Sequence, residues 1–175
     1  MKITKSACSR IDEIDFDRLT FGETFSDHMF DVEYRDGRWG EPEILPFGKI
    51  ELSPALTTLH YGQSIFEGMK AFHANDGSIK VFRPEAHHAR FNRSGARVCI
   101  PPVDYELFLG GIDELVALDK EWVPKRRGAA LYIRPFIFGS EDHVGLRVSE
   151  TYRFMIITSP VASYYKEGIN PVRLM

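Results

Sequence analysis

The chain has 175 residues, of which 43% are hydrophobic and 27% charged, and carries a net charge of −3. That length suits one globular domain, or one domain with a short extension, and it holds enough apolar material for a packed core. The acidic balance argues against a broad nucleic-acid footprint, and no stretch approaches the length of a membrane span.

Residues 1–24 read as a polar arm that docks late or frays, with Asp12, Glu13, Asp15 and Asp17 close together. The opening MKITKSACSRIDEIDF has no apolar run before a small-residue cleavage site, so no signal peptide is expected. Cys8 and Cys99 form no CxxC pair and no ligand cluster, and the six histidines form no metal motif. A reduced, cytoplasmic protein without a metal site is expected. Met29 to Tyr34, the turn Arg35-Asp36-Gly37-Arg38 and Trp39 predict a hairpin. Lys70 to His73 and Ile79 to Phe82 predict a second one around Asn75-Asp76-Gly77.

Pro84 marks a helix start, and Pro101-Pro102 stops the chain after about Val98. Asp104 is placed to N-cap a second helix, in which Phe108, Ile112, Leu115, Leu118 and Trp122 follow helical spacing. Gly110-Gly111 weakens that helix locally. Two apolar strands follow, over 129–138 and 152–158, joined by the loop 139–150. Residues 163–171 read as a linker, and Val172 to Met175 as the first residues of a strand in a further domain. The expectation is a domain over 1–162, with 163–175 as linker and domain start.

Three segments carry candidate chemistry. Arg83, His87, Arg90, Arg93 and Arg97 share one helix face, which is either a solvated face or a grip for phosphate or carboxylate. In Leu131-Tyr132-Ile133-Arg134-Pro135-Phe136, alternation puts Tyr132, Arg134 and Phe136 on one side. Both sides are largely apolar, which predicts a buried strand. A buried arginine needs an anion, either a carboxylate of the protein or one of a bound ligand. Pro135 argues for an edge strand or a bulge. In His60-Tyr61-Gly62-Gln63-Ser64-Ile65-Phe66-Glu67-Gly68, two glycines mark either a turn between core elements or close approach of the backbone to a ligand. Lys70 sits among apolar neighbours, where an exposed or snorkelling side chain is the simplest expectation.

Several of these segments together resemble the branched-chain aminotransferases of the class IV pyridoxal-phosphate aminotransferases. The matching pieces are FSDHMF at 25–30, LHYGQSIFEGMKAF at 59–72, VFRPEAHHARFNRS at 81–94, LDKEWVP at 118–124, LYIRPFIFGSEDHVGL at 131–146 and ITSPVASYY at 157–165. They occur in the family's order and cover most of residues 21–165. The resemblance implies the small amino-terminal domain of fold type IV. This is an α+β unit, with a mixed or antiparallel sheet and two main helices packed against it.

Roles carry over position by position. Arg90 matches the arginine that grips the 5′-phosphate of pyridoxal phosphate. Tyr61 matches the tyrosine at the substrate carboxylate, and Phe66 an aromatic wall of the side-chain pocket. Phe25, Tyr132 and Tyr164 match further pocket residues. Arg134 matches the arginine that receives acidic substrate groups, including the side-chain carboxylate of glutamate. Leu146 lies in a loop that in the family reaches a neighbouring subunit's pocket. The family's catalytic lysine has no counterpart here: Lys166 belongs to the linker and does not match.

The implied reaction is amino-group transfer between L-leucine, L-isoleucine or L-valine and 2-oxoglutarate, in a homodimer or larger assembly handling small amino acids and 2-oxo acids. The chain alone is expected to be inactive. Alternatives are another class IV member, such as a D-amino acid aminotransferase or aminodeoxychorismate lyase, or a non-catalytic assembly domain. HYGQSIFEGMKAF together with LYIRP favours the branched-chain group.

Overall fold

A computed structural model describes residues 1–162. The expected linker and strand start at 163–175, with Tyr164, lie outside the described residues. The strands are β1 (Lys2–Ile3), β2 (His28–Arg35), β3 (Arg38–Trp39), β4 (Glu43–Pro46), β5 (Ser64–Phe66), β6 (Met69–His73), β7 (Ile79–Val81), β8 (Ala130–Gly139) and β9 (Tyr152–Val161). The helices are α1 (Thr57–Tyr61), α2 (Pro84–Arg97) and α3 (Tyr105–Leu118), with 3-10 turns at Ile11–Glu13 and Lys120–Trp122.

All the strands join one sheet in the order β1-β4-β2-β9-β8-β6-β7, with β3 on β2 and β5 on β8. The β1–β4 pair is parallel and the other named pairs are antiparallel, so the sheet is mixed and the fold is α+β. None of the described helices is long and apolar enough to cross a membrane.

Local chemistry explains the elements. Asp36 and Gly37 both have positive φ, 53° and 76°, as the tight β2–β3 connection demands. In the β6–β7 turn the Asp76 carboxylate accepts the Ser78 N–H at 2.9 Å, and Gly77 supplies φ 80°. Asp104 stands at the N-cap of α3, but its side chain makes no capping bond. The helix also stops at Leu118, short of the apolar pattern, and Trp122 reaches the core from the following 3-10 turn.

Gly111 has a packing role. A Cβ there would lie 2.9 Å from Phe30 Cε2 and 3.1 Å from Ile156 Cδ1, so glycine lets α3 sit directly on β2 and β9. The main core fills the space between the helices and one sheet face, with Phe30, Phe91, Phe108, Leu115, Ile133 and Phe154 buried. Each such side chain contributes about 1.5–3 kcal/mol. A smaller cluster of Met29, Leu56, Phe138 and Met155 lies on the opposite face.

Residues 1–24 do not hang free at their start. Lys2–Ile3 pair with Glu43–Ile44, and Asp27 accepts hydrogen bonds from Ser9 Oγ (2.5 Å), the Arg10 N–H (3.0 Å) and Trp122 Nε1 (3.0 Å). Burial pushes the Asp27 carboxyl up, but these three donors outweigh it and leave the group below its ordinary value. His28 Nε2 accepts the Ser6 N–H at 2.8 Å, so its Nδ1 carries the proton toward Asp119, 2.7 Å away.

Candidate functional site

Strand β8 places most of the candidates. Leu131, Ile133, Pro135 and Ile137 are buried, whereas Tyr132, Arg134 and Phe136 are half-buried on the other side. The expectation of a strand buried on both sides is corrected: helices cover one face and leave the other partly open. Nor is β8 an edge, since β9 flanks it on one side and β5 and β6 on the other. Pro135 is tolerated because its partner strand breaks there. Glu67 donates its N–H to the Pro135 carbonyl at 2.9 Å, but proline has no N–H to return, and β5 ends at Phe66 while β6 begins at Met69.

Cross-strand neighbours share a face. Phe66 pairs with Phe136, and Lys70 with Tyr132. From β9, Ile157 pairs with Arg134 and Ser159 with Tyr132. Gly68 lies beneath the Tyr132 ring, where any Cβ would collide with the phenol oxygen. Arg134 Nε donates to the Tyr132 hydroxyl at 2.9 Å. Its guanidinium carbon stands 4.2 Å from the centre of the Phe66 ring and 5.2 Å from that of Tyr132. Among the described residues no carboxylate forms an ion pair with Arg134.

The amino-terminal segment closes this face. Phe21 meets Tyr132 edge-on at 5.1 Å, and Phe25 stacks on Phe47 at 4.7 Å. Phe21, Phe25, Tyr132, Arg134, Ile157 and Ser159 border a cavity of about 190 Å³. Phe66 remains 62% exposed beside it. A wider depression of about 880 Å³ lies elsewhere, between the β2–β3 turn, Cys99 and Tyr152, and includes none of the candidate residues.

Alternation sends Glu67 to the opposite face from Phe66, toward α2. Glu67 is 4% exposed and accepts from both Arg90 Nε and Arg90 Nη2, the latter at 2.9 Å. It also meets His87 Nδ1 at 2.8 Å and the Gly68 N–H at 3.0 Å. Burial pushes the Glu67 carboxyl up, and the Arg90, His87 and Gly68 hydrogen bonds pull it below its usual value overall. Of the basic stripe, Arg83, Arg90, Arg93 and Arg97 are exposed and His87 is half-buried. Glu67 thus fixes Arg90 with the rest of its guanidinium in solvent, which is what a phosphate contact requires.

Tyr61 stands apart from the cavity. It ends α1, closed by Gly62 at φ 66°, and its hydroxyl donates to the Val144 carbonyl. The Thr57 hydroxyl donates to the Glu141 carbonyl at 2.9 Å, so α1 and the loop 139–150 form one unit. Leu146 projects from that loop, 85% exposed. The candidates therefore divide into three groups: Phe25, Phe66, Tyr132 and Arg134 at the cavity; Arg90 with Glu67; and Tyr61 with the Leu146 loop. Glu67 and Ser159 were not among the sequence candidates. Period-two alternation next to Phe66 could have singled out Glu67, whereas Ser159 is visible only from strand register.

No protein-family model matches the chain. It is 47% identical over 161 residues to branched-chain-amino-acid aminotransferase 2 of Bacillus subtilis, a match covering 91% of this chain and 44% of that protein. It is 44% identical over 154 residues to the branched-chain-amino-acid aminotransferase of Mycolicibacterium smegmatis, covering 87% and 42%. The structure is similar to that of the Thermoproteus uzoniensis branched-chain aminotransferase solved with norvaline, with TM-score 0.60 and 26% identity over 77% of this chain and 42% of that one. The fold is shared with a second branched-chain amino acid aminotransferase, solved as its complex with N-(5'-phosphopyridoxyl)-L-glutamate, at TM-score 0.56 and 22% identity over 76% of this chain and 40% of that one. The chain spans less than half the length of these relatives, and over about nine-tenths of its own length it is similar in sequence to branched-chain-amino-acid aminotransferases, whose fold it shares in this part.

Proposed function

We propose that this chain forms the substrate-side half of a pyridoxal-phosphate-dependent aminotransferase. That enzyme exchanges the amino group between branched-chain L-amino acids and 2-oxoglutarate. The observation that carries the reading is Arg134: a guanidinium held between Phe66 and Tyr132 beside a cavity that Phe21, Phe25 and Ile157 also line, without a protein carboxylate among the described residues. Such a charge is stable there when an incoming carboxylate completes it.

The residues fit the cofactor at one point. Arg90, anchored by buried Glu67 and half-exposed, would hold the 5′-phosphate. Pyridoxal phosphate, when bound, supplies the electron sink at the substrate α-carbon. The chain's own residues select and orient. Phe25 and Phe66 pack on the branched side chain, and Arg134 with Tyr132 receives the second carboxylate of glutamate. Tyr61 and the Leu146 loop reach into the pocket of a second copy in a homodimer, because both sit on one exposed unit away from the cavity. Tyr164, outside the described residues, belongs to the same pocket in this reading. A cytoplasmic enzyme of amino-acid biosynthesis is the setting that goes with it.

The test uses a protein of full family length containing this chain. The cofactor absorbance should shift from its pyridoxal to its pyridoxamine form on adding L-leucine or L-glutamate, and remain unchanged with D-alanine. A response to D-alanine alone would assign the chain to another class IV activity.

A further inference from the structure

The cavity beside Arg134 holds a polar group that the family resemblance does not account for. Ser159 is 3% exposed, and its hydroxyl has no hydrogen-bond partner among the described residues. Other buried hydroxyls nearby are satisfied: Ser26 Oγ and Thr158 Oγ1 share a bond of 2.5 Å. A buried hydroxyl without a partner costs about 1–3 kcal/mol, so its presence in the strand interior asks for a ligand.

Strand register says where that hydroxyl lies. Ser159 on β9 is the direct cross-strand neighbour of Tyr132 on β8, and Ile157 that of Arg134, so all four share the open face. Ser159 and Arg134 border the same cavity, roofed by Phe21 and Phe25. The donor inventory then fixes the sign of the ligand. Arg134 spends its Nε on the Tyr132 oxygen, leaving the terminal nitrogens free to donate, and Tyr132, having accepted, keeps its own proton to give. Ser159 adds a third donor, and no acidic side chain borders the cavity.

We propose that Ser159 is a specificity-determining residue whose hydroxyl donates to the distal carboxylate of the dicarboxylate substrate, alongside Arg134 and Tyr132. This deepens the proposed function and rests on its assignment of Arg134 to that carboxylate. Leucine, isoleucine and valine bring only a hydrocarbon to this part of the pocket and leave the serine unpaired. The hydroxyl therefore adds discrimination in favour of glutamate and 2-oxoglutarate.

The test compares Ser159→Ala, Arg134→Gln and the parent in the full-length holoenzyme. It measures single-turnover kcat/KM for L-glutamate and L-leucine, and the dissociation constants of glutarate and 4-methylpentanoate by calorimetry. A hydrogen bond to a charged group predicts that Ser159→Ala lowers the glutamate-over-leucine ratio about tenfold. The preference for glutarate over 4-methylpentanoate should fall in parallel. The ligand-free melting temperature of Ser159→Ala should equal or exceed that of the parent, because the variant removes an unsatisfied group. Loss of selectivity in Arg134→Gln but not in Ser159→Ala overturns the serine proposal and keeps the arginine assignment. Unchanged selectivity in both overturns both. A lowered melting temperature with equal losses on both substrates would make Ser159 structural and also overturn the proposal.

Discussion

Glu67 and Arg90 are joined by two hydrogen bonds, through which a buried carboxylate at the end of a strand fixes an exposed guanidinium on a helix. His87 and the Gly68 N–H complete the carboxylate's shell. The stability they contribute depends on ionised Glu67, and its folded-state carboxyl lies below the ordinary value. A depressed carboxyl contributes in full above its unfolded value, 4.5, and loses that contribution as pH falls through the lower folded value. Glu67→Gln should therefore cost about 1–2 kcal/mol near pH 7, a gap that narrows as the pH is taken below 4.5 toward 3. Urea midpoints across that range check it, and a gap independent of pH would detach the effect from Glu67 ionisation.

Within the basic stripe the Glu67 anchor singles out one arginine. In the full-length enzyme, Arg90→Ala should raise the cofactor dissociation constant by about tenfold or more, the worth of one charge-assisted contact. Arg93→Ala and Arg97→Ala should change it by no more than about twofold, since both are exposed and the hydrogen bonds to Glu67 come from Arg90 instead. Equilibrium dialysis against pyridoxal phosphate decides the matter. Equal weakening in all three variants would make the whole stripe the unit of binding.

The role proposed for Arg134 predicts a difference between the two proposed half-reactions. Arg134→Gln should reduce single-turnover kcat/KM for glutamate at least about tenfold more than for leucine, because only glutamate brings a second carboxylate to the guanidinium. Equal losses would show that Arg134 serves the fold.

Gly111 tests the seating of α3 on the sheet. Gly111→Ala places a methyl within 2.9 Å of Phe30 and 3.1 Å of Ile156, both fully buried. Overpacking at that point should destabilise the domain by about 1–3 kcal/mol, against the usual gain of alanine in a helix. Gly110→Ala, with nothing within 4 Å of its Cβ, is the control and should be neutral or stabilising. Thermal melts of the two variants would show whether the order is reversed.

Much of this was legible in the chain, for physical reasons that differ from element to element. Asp36-Gly37 and Asp76-Gly77 announce their hairpins through backbone conformations few other pairs adopt. Alternation in β8 separates Tyr132 and Arg134 from Ile133 correctly. What it cannot say is how each face is covered, so the strand reads as equally buried on both. The α3 boundary at Leu118 is invisible because Trp122 continues the apolar rhythm from a 3-10 turn. Tyr61 and Phe66 are five positions apart, yet one joins the Val144 loop and the other frames Arg134, a separation only the turn at Gly62 creates. Ser159 carries no local signal, since its meaning comes from Tyr132 across the sheet and Phe21 above it.

The gap opposite Pro135 has a consequence for how this chain can change. On either side of it β5 and β6 keep a single register against β8, as Phe66–Phe136 and Met69–Ile133 show. Phe66 and Glu67 are adjacent in the chain but serve opposite faces, one framing Arg134 and the other holding Arg90. A single residue gained or lost at 67–68 would leave one flanking strand out of step and exchange those two faces. The settings of Arg134 and Arg90 are thus tied to one common phase, and this short segment tolerates replacement of side chains far better than any alteration in its length.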